Sequence, residues 1–316
     1  MAAWLQGLAL ALLLLLTGCA TQTRALLSST RADLPRQVEL TATPFIAQER
    51  YQCGPAALAM SLRAAGFAVD AEALVPQVYL PQRQGSLQVE MLAAARRNGA
   101  VGVAIPPALD ALVAELAAGT PVLVLQNLSL PIAPVWHYAV VIGYDLDRGN
   151  IILRSGTTER LVMPMSTFEH TWARGGHWAM VALAPGRLPA STGEAAVLDA
   201  LVAYEKGGPP AASRRAYAGA LERWPNNLGL AMGLGNTAYA AGDKAAAAAA
   251  FARAAAAHPD SGAAFNNLAV ALMELGRFGE ARAAAEKAVA LGGAWRQAAL
   301  DTLGAIGEAE KNAMRR

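Results

Sequence analysis

The spacing of apolar positions divides the chain into distinct parts. Leu8 to Leu16 form a short uninterrupted apolar run, and the residues after it are mainly polar up to residue 37. Residues 38–184 alternate between segments with helical spacing and short β-branched runs, which predicts a domain that contains both helices and strands. Residues 185–193 are rich in Pro and Gly and are interpreted as a linker. Residues 194–311 consist almost entirely of helix-forming residues.

Within residues 38–184 the pattern predicts the individual elements. Helices are expected at 54–65, 87–97 and 107–118. Strands are expected at 101–105, 121–126, 137–144, 150–154, 160–164 and 177–183. Cys53 immediately precedes the first of these helices, and His137 opens the longest of these strands.

A period of 34 residues runs through residues 194–311. The residues that recur at this step are Gly208, Gly242 and Gly276; Pro225 and Pro259; Tyr217, Phe251 and Ala285; and Ala220, Ala254 and Ala288. Because glycine suits the turn of a helix hairpin and alanine suits close helix contacts, the pattern resembles the tetratricopeptide repeat. Units are expected at 194–227, 228–261 and 262–295, followed by a capping helix at 295–311. The resemblance implies an all-α solenoid whose concave face binds a protein partner.

The apolar run near the start ends in Leu16-Thr17-Gly18-Cys19 and is too short to span a bilayer. It resembles the signal of bacterial lipoproteins, although no Lys or Arg precedes it. The resemblance implies that residues 1–18 are cleaved and that Cys19 is acylated, so that residues 19–37 tether the protein to a membrane. An ordinary secretory signal is the alternative. Ala20, where an Asp would signal retention at the inner membrane, favours the periplasmic face of the outer membrane in the bacterial cell envelope.

Composition excludes several classes of protein. The 26 basic and 24 acidic side chains give a net charge of +2, which leaves no large positive field for a nucleic acid. Two cysteines cannot form a disulfide scaffold, and no Cys/His cluster has the spacing of a zinc site. We therefore expect no metal, no other cofactor and no nucleic-acid partner. If Cys19 is acylated, Cys53 is the one thiol of the mature protein.

The residues around Cys53 favour a reactive thiol. Pro55 suits a first helical turn and Gly66 suits a helix end, so Cys53 is expected at a helix N-terminus, where the helix dipole favours a thiolate. Such a nucleophile needs a base. His137 is the preferred histidine because it opens a buried apolar strand and can face a cleft, whereas His170, His177 and His258 have structural or surface interpretations.

The two motifs together resemble a known family. Cys-Gly-Pro-Ala at 53–56, followed by His-Tyr-Ala-Val-Val-Ile-Gly-Tyr-Asp at 137–145, is similar to the bacteriocin-processing (double-glycine leader) cysteine peptidases of the papain-like class. The resemblance implies an α+β papain-like fold for residues 38–184, with Cys53 as nucleophile and His137 as general base and acid. It also implies that Gln48 helps to form the oxyanion hole together with the backbone N–H of Cys53, and Gln52 is the alternative glutamine.

The third catalytic residue departs from that family. Its members place an Asp on the strand after the histidine hairpin, but residues 150–156 read Asn-Ile-Ile-Leu-Arg-Ser-Gly. Ser155 is the candidate that we assign to the site. Asn150 and Asn127 are alternatives that could also hold the imidazole by a neutral hydrogen bond, which stabilises an imidazolium less than a carboxylate does.

The sequence therefore predicts a membrane-anchored cysteine peptidase that cleaves a peptide or protein substrate and carries a repeat domain for protein binding. One alternative is a binding module or scaffold whose peptidase-like domain has lost activity, which the missing Asp would explain. Another is a different acyl transfer, such as that of an amidase or a transpeptidase acting at the cell wall.

Overall fold

The computed structural model describes residues 20–29, 33–47 and 52–315. Within these residues the chain forms two compact units. The first comprises the described residues up to Asn98 together with Gly102–Ala182 and Pro189–Thr192. The second comprises Gly99–Val101, Leu183–Leu188 and the described residues from Gly193 onward.

The N-terminal part of the fold is a sheet with helices. The strands are β1 (Gln37–Glu39), β2 (Tyr79–Leu80), β3 (Gly85–Ser86), β4 (Val101–Ala104), β5 (Val122–Asn127), β6 (Trp136–Asp145), β7 (Asn150–Ser155), β8 (Thr158–Pro164) and β9 (Ala179–Leu183). The helices are α1 (Thr21–Ser28), α2 (Cys53–Ala64), α3 (Ala71–Val78), α4 (Gln88–Arg97), α5 (Leu109–Ala117) and α6 (Met165–Arg174), with a 3-10 turn at Pro81–Arg83. All three predicted helices and all six predicted strands are confirmed within two residues at each end, whereas α1, α3, α6, β1 and the β2–β3 ribbon were not predicted.

The main sheet has the order β4-β9-β5-β6-β7-β8, and β1 pairs with the far end of β6. β6 is antiparallel to both β5 and β7, and its residues 138–144 are buried because they are apolar, aromatic or glycine. A bulge lies between Val141 and Gly143. A Cβ atom at Gly143 would lie 2.3 Å from the Val38 carbonyl oxygen, so only glycine lets β1 approach β6 here.

α2 carries Cys53 in its first turn, as predicted from Pro55. The helix ends in a Schellman motif, in which Gly66 (φ +94°) and Phe67 donate their backbone N–H groups to the carbonyls of Arg63 and Leu62. Residues 54–62 of α2 are all buried, and the helix packs on β6. This packing brings the first turn of α2 to the end of the sheet where β6 begins.

The residues after Cys19 differ from the expected tether. Thr21–Ser28 form α1, which packs against α5 and α6. The Glu169 carboxylate, on α6, accepts hydrogen bonds from the backbone N–H groups of Gln22 (3.0 Å) and Thr23 (2.7 Å). The Leu26 side chain is almost fully buried. A buried carboxylate at the positive end of α1 fixes this segment to the first unit, so residues 21–28 form a packed helix within the range 19–37 where the sequence analysis expected a polar tether.

From Gly193 onward, the described residues of the second unit form only helices and their connections. Its helices are α7 (Glu194–Glu205), α8 (Pro210–Arg223), α9 (Leu228–Ala240), α10 (Lys244–Ala257), α11 (Gly262–Glu274), α12 (Phe278–Leu291) and α13 (Arg296–Met314), with a 3-10 turn at Gly293–Trp295. Gly242 (φ +81°) and Gly276 (φ +72°) follow the first helices of their hairpins, where the turn requires the left-handed conformation. Within the described part of the chain, no helix is both long and apolar enough to cross a membrane.

The repeated positions form the core of the second unit. Ala220, Ala254 and Ala288 are buried, as are the aromatic rings of Tyr217 and Phe251. These rings pack onto glycines of α9. A Cβ atom at Gly233 would lie 2.4 Å from the Tyr217 ring, and one at Gly235 would lie 2.3 Å from the Phe251 ring.

The contact at Gly235 predicts an unusual response to alanine. In an exposed helix, Gly→Ala stabilises by about 1 kcal/mol, and we expect this for Gly304→Ala in α13, where the added Cβ meets nothing within 4 Å. Gly235→Ala should instead destabilise the second unit by about 1–2 kcal/mol, because the overpacked Phe251 ring must shift. Denaturant unfolding followed by far-UV circular dichroism measures both. Equal stabilisation by the two substitutions would contradict this account of the packing.

Candidate active site

The first unit contains a cavity of about 1150 Å³ at the end of the sheet where β6 begins. Cys53 and His137 both line it, so the fold brings together the two residues that the sequence analysis paired across more than eighty positions. The other walls come from the β2–β3 ribbon, from the residues around Trp136 and from the C-terminal end of α6.

Cys53 is half-buried, and its thiol faces several backbone donors. The backbone N–H groups of Tyr138, Gly54 and Cys53 itself lie within hydrogen-bonding reach of the sulfur and favour the thiolate. Burial has the larger effect and raises the pKa of the Cys53 thiol above its ordinary value. The arrangement therefore differs from the expected preference for a thiolate, because burial affects the pKa of the thiol more than the backbone N–H groups do.

His137 is held by Ser155. Its Nε2 atom lies 2.9 Å from Ser155 Oγ, across the β6–β7 hairpin. Burial lowers the pKa of the His137 imidazole below its ordinary value, because the charged form is poorly solvated there. The residue is therefore neutral at neutral pH, and the ring nitrogen that Ser155 does not contact is Nδ1.

The alternatives to Ser155 serve other purposes. Asn127 is buried and pairs across the ladder with Trp136, and its Oδ1 atom accepts hydrogen bonds from the backbone N–H groups of Ser129 and Val135. It therefore shapes the β5–β6 loop. Asn150 pairs with Asp145, at the opposite end of β6 from His137.

The two candidate glutamines, Gln48 and Gln52, and the remaining histidines do not line the cavity or lie outside the described residues. Gln48 lies outside the described residues, as does Cys19. Gln52 is half-buried at the N-cap of α2, and its carbonyl accepts the Ala56 N–H at 3.2 Å. His170 is exposed on α6, His177 packs edge-on against Trp172 at 4.9 Å, and His258 lies in the second unit with Nε2 2.6 Å from the Asn226 carbonyl.

Sequence reasoning missed the contribution of Tyr138. Its backbone N–H points at the Cys53 sulfur, and its hydroxyl donates to the Ser86 carbonyl at 3.1 Å. Ser86 in turn packs on Gly54, where a Cβ atom would lie 2.2 Å from Ser86 Oγ. Gly54 is thus required because β3 approaches it closely. The contribution of the Tyr138 N–H could not be predicted, because nearly every residue type has a backbone N–H group.

Two cations at the cavity were also missed. Arg83 and Arg174 line it, and Arg174 Nε donates to the Asn127 carbonyl at 3.1 Å. Neither position has a sequence pattern that distinguishes it from a solvated arginine. Among the described residues, no group of three or more His, Cys, Asp or Glu side chains could hold a metal ion.

Comparisons with known proteins give separate matches for the sheet-containing domain and for the helical repeats. Residues 40–180 match the model of the Peptidase_C39 like family, and residues 197–257 and 232–299 match that of the tetratricopeptide repeat. The comparison with curated proteins found no match. Both parts of the predicted fold class are confirmed, an α+β peptidase-like domain followed by helical repeats.

Solved structures resemble one part or the other. A C39-like peptidase from Bacillus anthracis is 21% identical, covers 46% of this chain and 97% of its own, and has a TM-score of 0.39. The first tetratricopeptide domain of Spaghetti (RPAP3), bound to an HSP90 peptide, is 19% identical, covers 36% and 89%, and has a TM-score of 0.33. MamA is 18% identical, covers 39% and 81%, and has a TM-score of 0.30.

The burial of the thiol predicts how its reactivity depends on pH. In a chain that begins at Ala20, Cys53 is the one cysteine, so iodoacetamide reports on it alone. Because burial raises the thiol pKa, the alkylation rate should rise with pH through a midpoint above about 8.5, the ordinary thiol value. An excess of free glutathione alkylated in parallel is the control. A rate that is already constant below pH 7 would show that an ion pair with His137 outweighs burial.

Proposed function

Because residues 40–180 form a Peptidase_C39-like domain and the second unit contains tetratricopeptide repeats, we propose that the chain is a cysteine peptidase that cleaves peptide bonds with Cys53 and His137. The observation that carries the proposal is their shared cavity, together with the hydrogen bond that positions the histidine. The two matched families suggest peptidase-like and protein-binding roles. Our proposal adds that the chain hydrolyses peptide bonds.

The neutral pair supports a general-base mechanism. His137 Nδ1 takes the proton of the Cys53 thiol as the sulfur attacks the substrate carbonyl carbon, and the carbonyl π electrons move to oxygen. The C–N bond then breaks, and the leaving amine takes the proton from Nδ1, which leaves a thioester on Cys53. Water attacks the thioester while His137 accepts its proton, the acid product leaves, and the thiol recovers the proton.

Ser155 can hold the His137 imidazole during these steps, both when the ring is neutral and when it is protonated. While Nδ1 is unprotonated, the neutral imidazole carries its proton on Nε2, which donates to Ser155 Oγ. After Nδ1 takes the thiol proton, the Nε2–H group still donates to the same oxygen. The serine therefore keeps one ring orientation throughout, although it supplies no negative charge to stabilise the imidazolium.

The oxyanion of the tetrahedral intermediate needs donors at the start of α2. The backbone N–H of Cys53 supplies one in this proposal, and the Gln48 side chain supplies the second. Gln52 is the weaker choice because its carbonyl acts as the helix N-cap and it is not among the described residues that line the cavity.

The proposed setting is the bacterial cell envelope. Acylation of Cys19 would hold the protein at a membrane, and Ala20 favours the periplasmic face of the outer membrane. The repeats would bind a protein partner, as stacked helix pairs commonly do. That partner would bring the substrate to the peptidase domain or the peptidase domain to an assembly.

The second candidate is a peptidase-like scaffold without activity. Two observations favour it: His137 has a serine in place of a carboxylate as its partner, and burial raises the pKa of the Cys53 thiol. Under this proposal the cavity binds a peptide segment without cleaving it.

Hydrolysis of peptides by matched variants separates the two candidates. A mixed peptide library should yield products with the chain from Ala20, and none above background with Cys53→Ala. Ser155→Ala should lower kcat about five- to tenfold, since it removes one neutral hydrogen bond, and should leave KM unchanged. Asn150→Ala, at the other end of β7, should change kcat less than twofold. Peptides that bind without being cleaved would support the scaffold instead, as would a Cys53→Ala variant with undiminished hydrolysis.

The two cysteines provide a matched test of the anchor. In a bacterial host that receives a labelled fatty acid, the full chain should take up the label and fractionate with membranes. Cys19→Ser should abolish both, because the acylated thiol is lost, whereas Cys53→Ser should retain both. Label on the Cys19→Ser protein, or a wild-type protein released without label, would contradict the anchor.

A further inference from the structure

The mouth of the cavity carries a group of exposed apolar side chains. They lie in residues 128–136, between β5 and the first residue of β6, and are Leu128, Leu130, Ile132, Val135 and Trp136. Ile132 is 90% exposed. The segment contains no charged residue, and its Pro134, Val135 and Trp136 line the cavity itself. Several large exposed apolar side chains within one short segment are typical of an interaction site.

Hydrogen bonds at its base hold this segment, which we call the apolar loop, in shape. Asn127 Oδ1 accepts from Ser129 N–H (3.0 Å) and Val135 N–H (2.9 Å), and Leu128 N–H donates to the Val135 carbonyl at 2.9 Å. Pro131 and Pro134 limit it further. The loop therefore presents its side chains outward from a closed base, so little entropy is lost when they meet a partner.

The start of α1 is directed toward the same end of the sheet. α1 begins beside Glu169, midway along α6, and its Leu27 lies against Gly149, whose carbonyl accepts from the first residue of α6. α1 therefore runs opposite to α6, and its start is directed toward the C-terminal end of α6. That end carries Arg174, which lines the cavity and donates to Asn127 at the base of the apolar loop.

We propose that the apolar loop inserts into the lipid bilayer to which the N-terminus is attached, so that the cavity opens at the membrane surface. The proposal rests on the proposed envelope location. Cys19 lies two residues before α1, so the acyl chains would join the chain close to a helix fixed on the first unit. A Trp at the end of an uncharged loop, with Arg83 and Arg174 beside it, suits the boundary between acyl chains and anionic headgroups.

The geometry also limits the substrate. A cavity at the bilayer surface would receive peptide segments that lie within a few residues of a membrane, such as the membrane-proximal part of an anchored protein. The proposal thus restricts how far from the membrane a cleaved peptide segment can lie. This restriction acts in addition to any preference of the cavity for particular side chains.

Vesicle binding by the unacylated chain tests the proposal. The chain from Ala20 retains all described elements, and we expect it to sediment with phosphatidylethanolamine/phosphatidylglycerol vesicles. The double substitution Leu130→Asp, Ile132→Asp should lower the bound fraction at least about fivefold, because each carboxylate would have to enter the acyl region. Val202→Asp, at an exposed apolar position of the second unit, is the matched control and should bind as the wild type does.

A second measurement locates the contact. Vesicles with brominated acyl chains should quench the fluorescence of the wild-type chain, and Trp136→Phe should remove most of that quenching. Circular dichroism confirms that each variant is folded, and Leu130→Ser, Ile132→Ser provides a milder pair if the aspartates disturb folding. Absence of wild-type binding, or equal binding by wild type and double variant, would overturn the proposal.

The alternative to membrane insertion is that the apolar loop contacts an apolar side chain of the substrate. If the double variant binds vesicles normally but hydrolyses apolar peptides more slowly, the loop is a substrate subsite and the membrane proposal is overturned. Vesicle binding is measured without substrate and without the acyl group. Its failure is therefore distinguishable from a failure of the proposed hydrolysis or of the proposed anchor.

Discussion

The cavity that holds Cys53 and His137 depends on the packing of α2 against β6. Both elements are apolar along nearly their whole buried length, so the pair forms a dry contact that fixes one relative position. That position brings the Cys53 sulfur against the backbone N–H of Tyr138, one residue after His137. Gly143 lets β1 approach β6, and Gly54 lets β3 approach α2, because neither residue has a side chain.

The same packing sets the chemistry of the pair. Burying both groups disfavours both charged forms, so the pKa of the thiol rises while that of the imidazole falls. A resting ion pair is the usual route to a reactive cysteine, but a neutral pair can also react when the base holds its free nitrogen toward the thiol. The hydrogen bond between Ser155 and Nε2 leaves Nδ1 as the ring nitrogen that Ser155 does not occupy. A serine suffices for this orientation because the resting imidazole carries no charge that a carboxylate would be needed to stabilise.

Much of this arrangement could be predicted from the sequence, for reasons that differ between elements. The helix after Cys53 and the strand after His137 follow from local signals: a proline, a terminal glycine and a run of β-branched residues. The repeat helices follow from a 34-residue period. Ser155 could be proposed because it lies one hairpin away from His137. The raised pKa of Cys53 could not be predicted, since burial depends on how the ribbon and β6 enclose the thiol. Nor could α1, because its stability comes from Glu169, almost 150 residues away in the sequence.

Asn127 links the strand beside His137 to the surroundings of the cavity. An asparagine that oriented His137 would have to direct its amide into the cavity, yet its Oδ1 atom is committed to two backbone N–H groups of the apolar loop. Its carbonyl also receives Arg174 from the end of α6. One buried residue thus connects the loop, the end of α6 and the strand next to His137. Asn127 thus shapes the apolar loop and also belongs to the strand that pairs with β6, so a partner that displaced the loop would also disturb the ladder pairs beside His137.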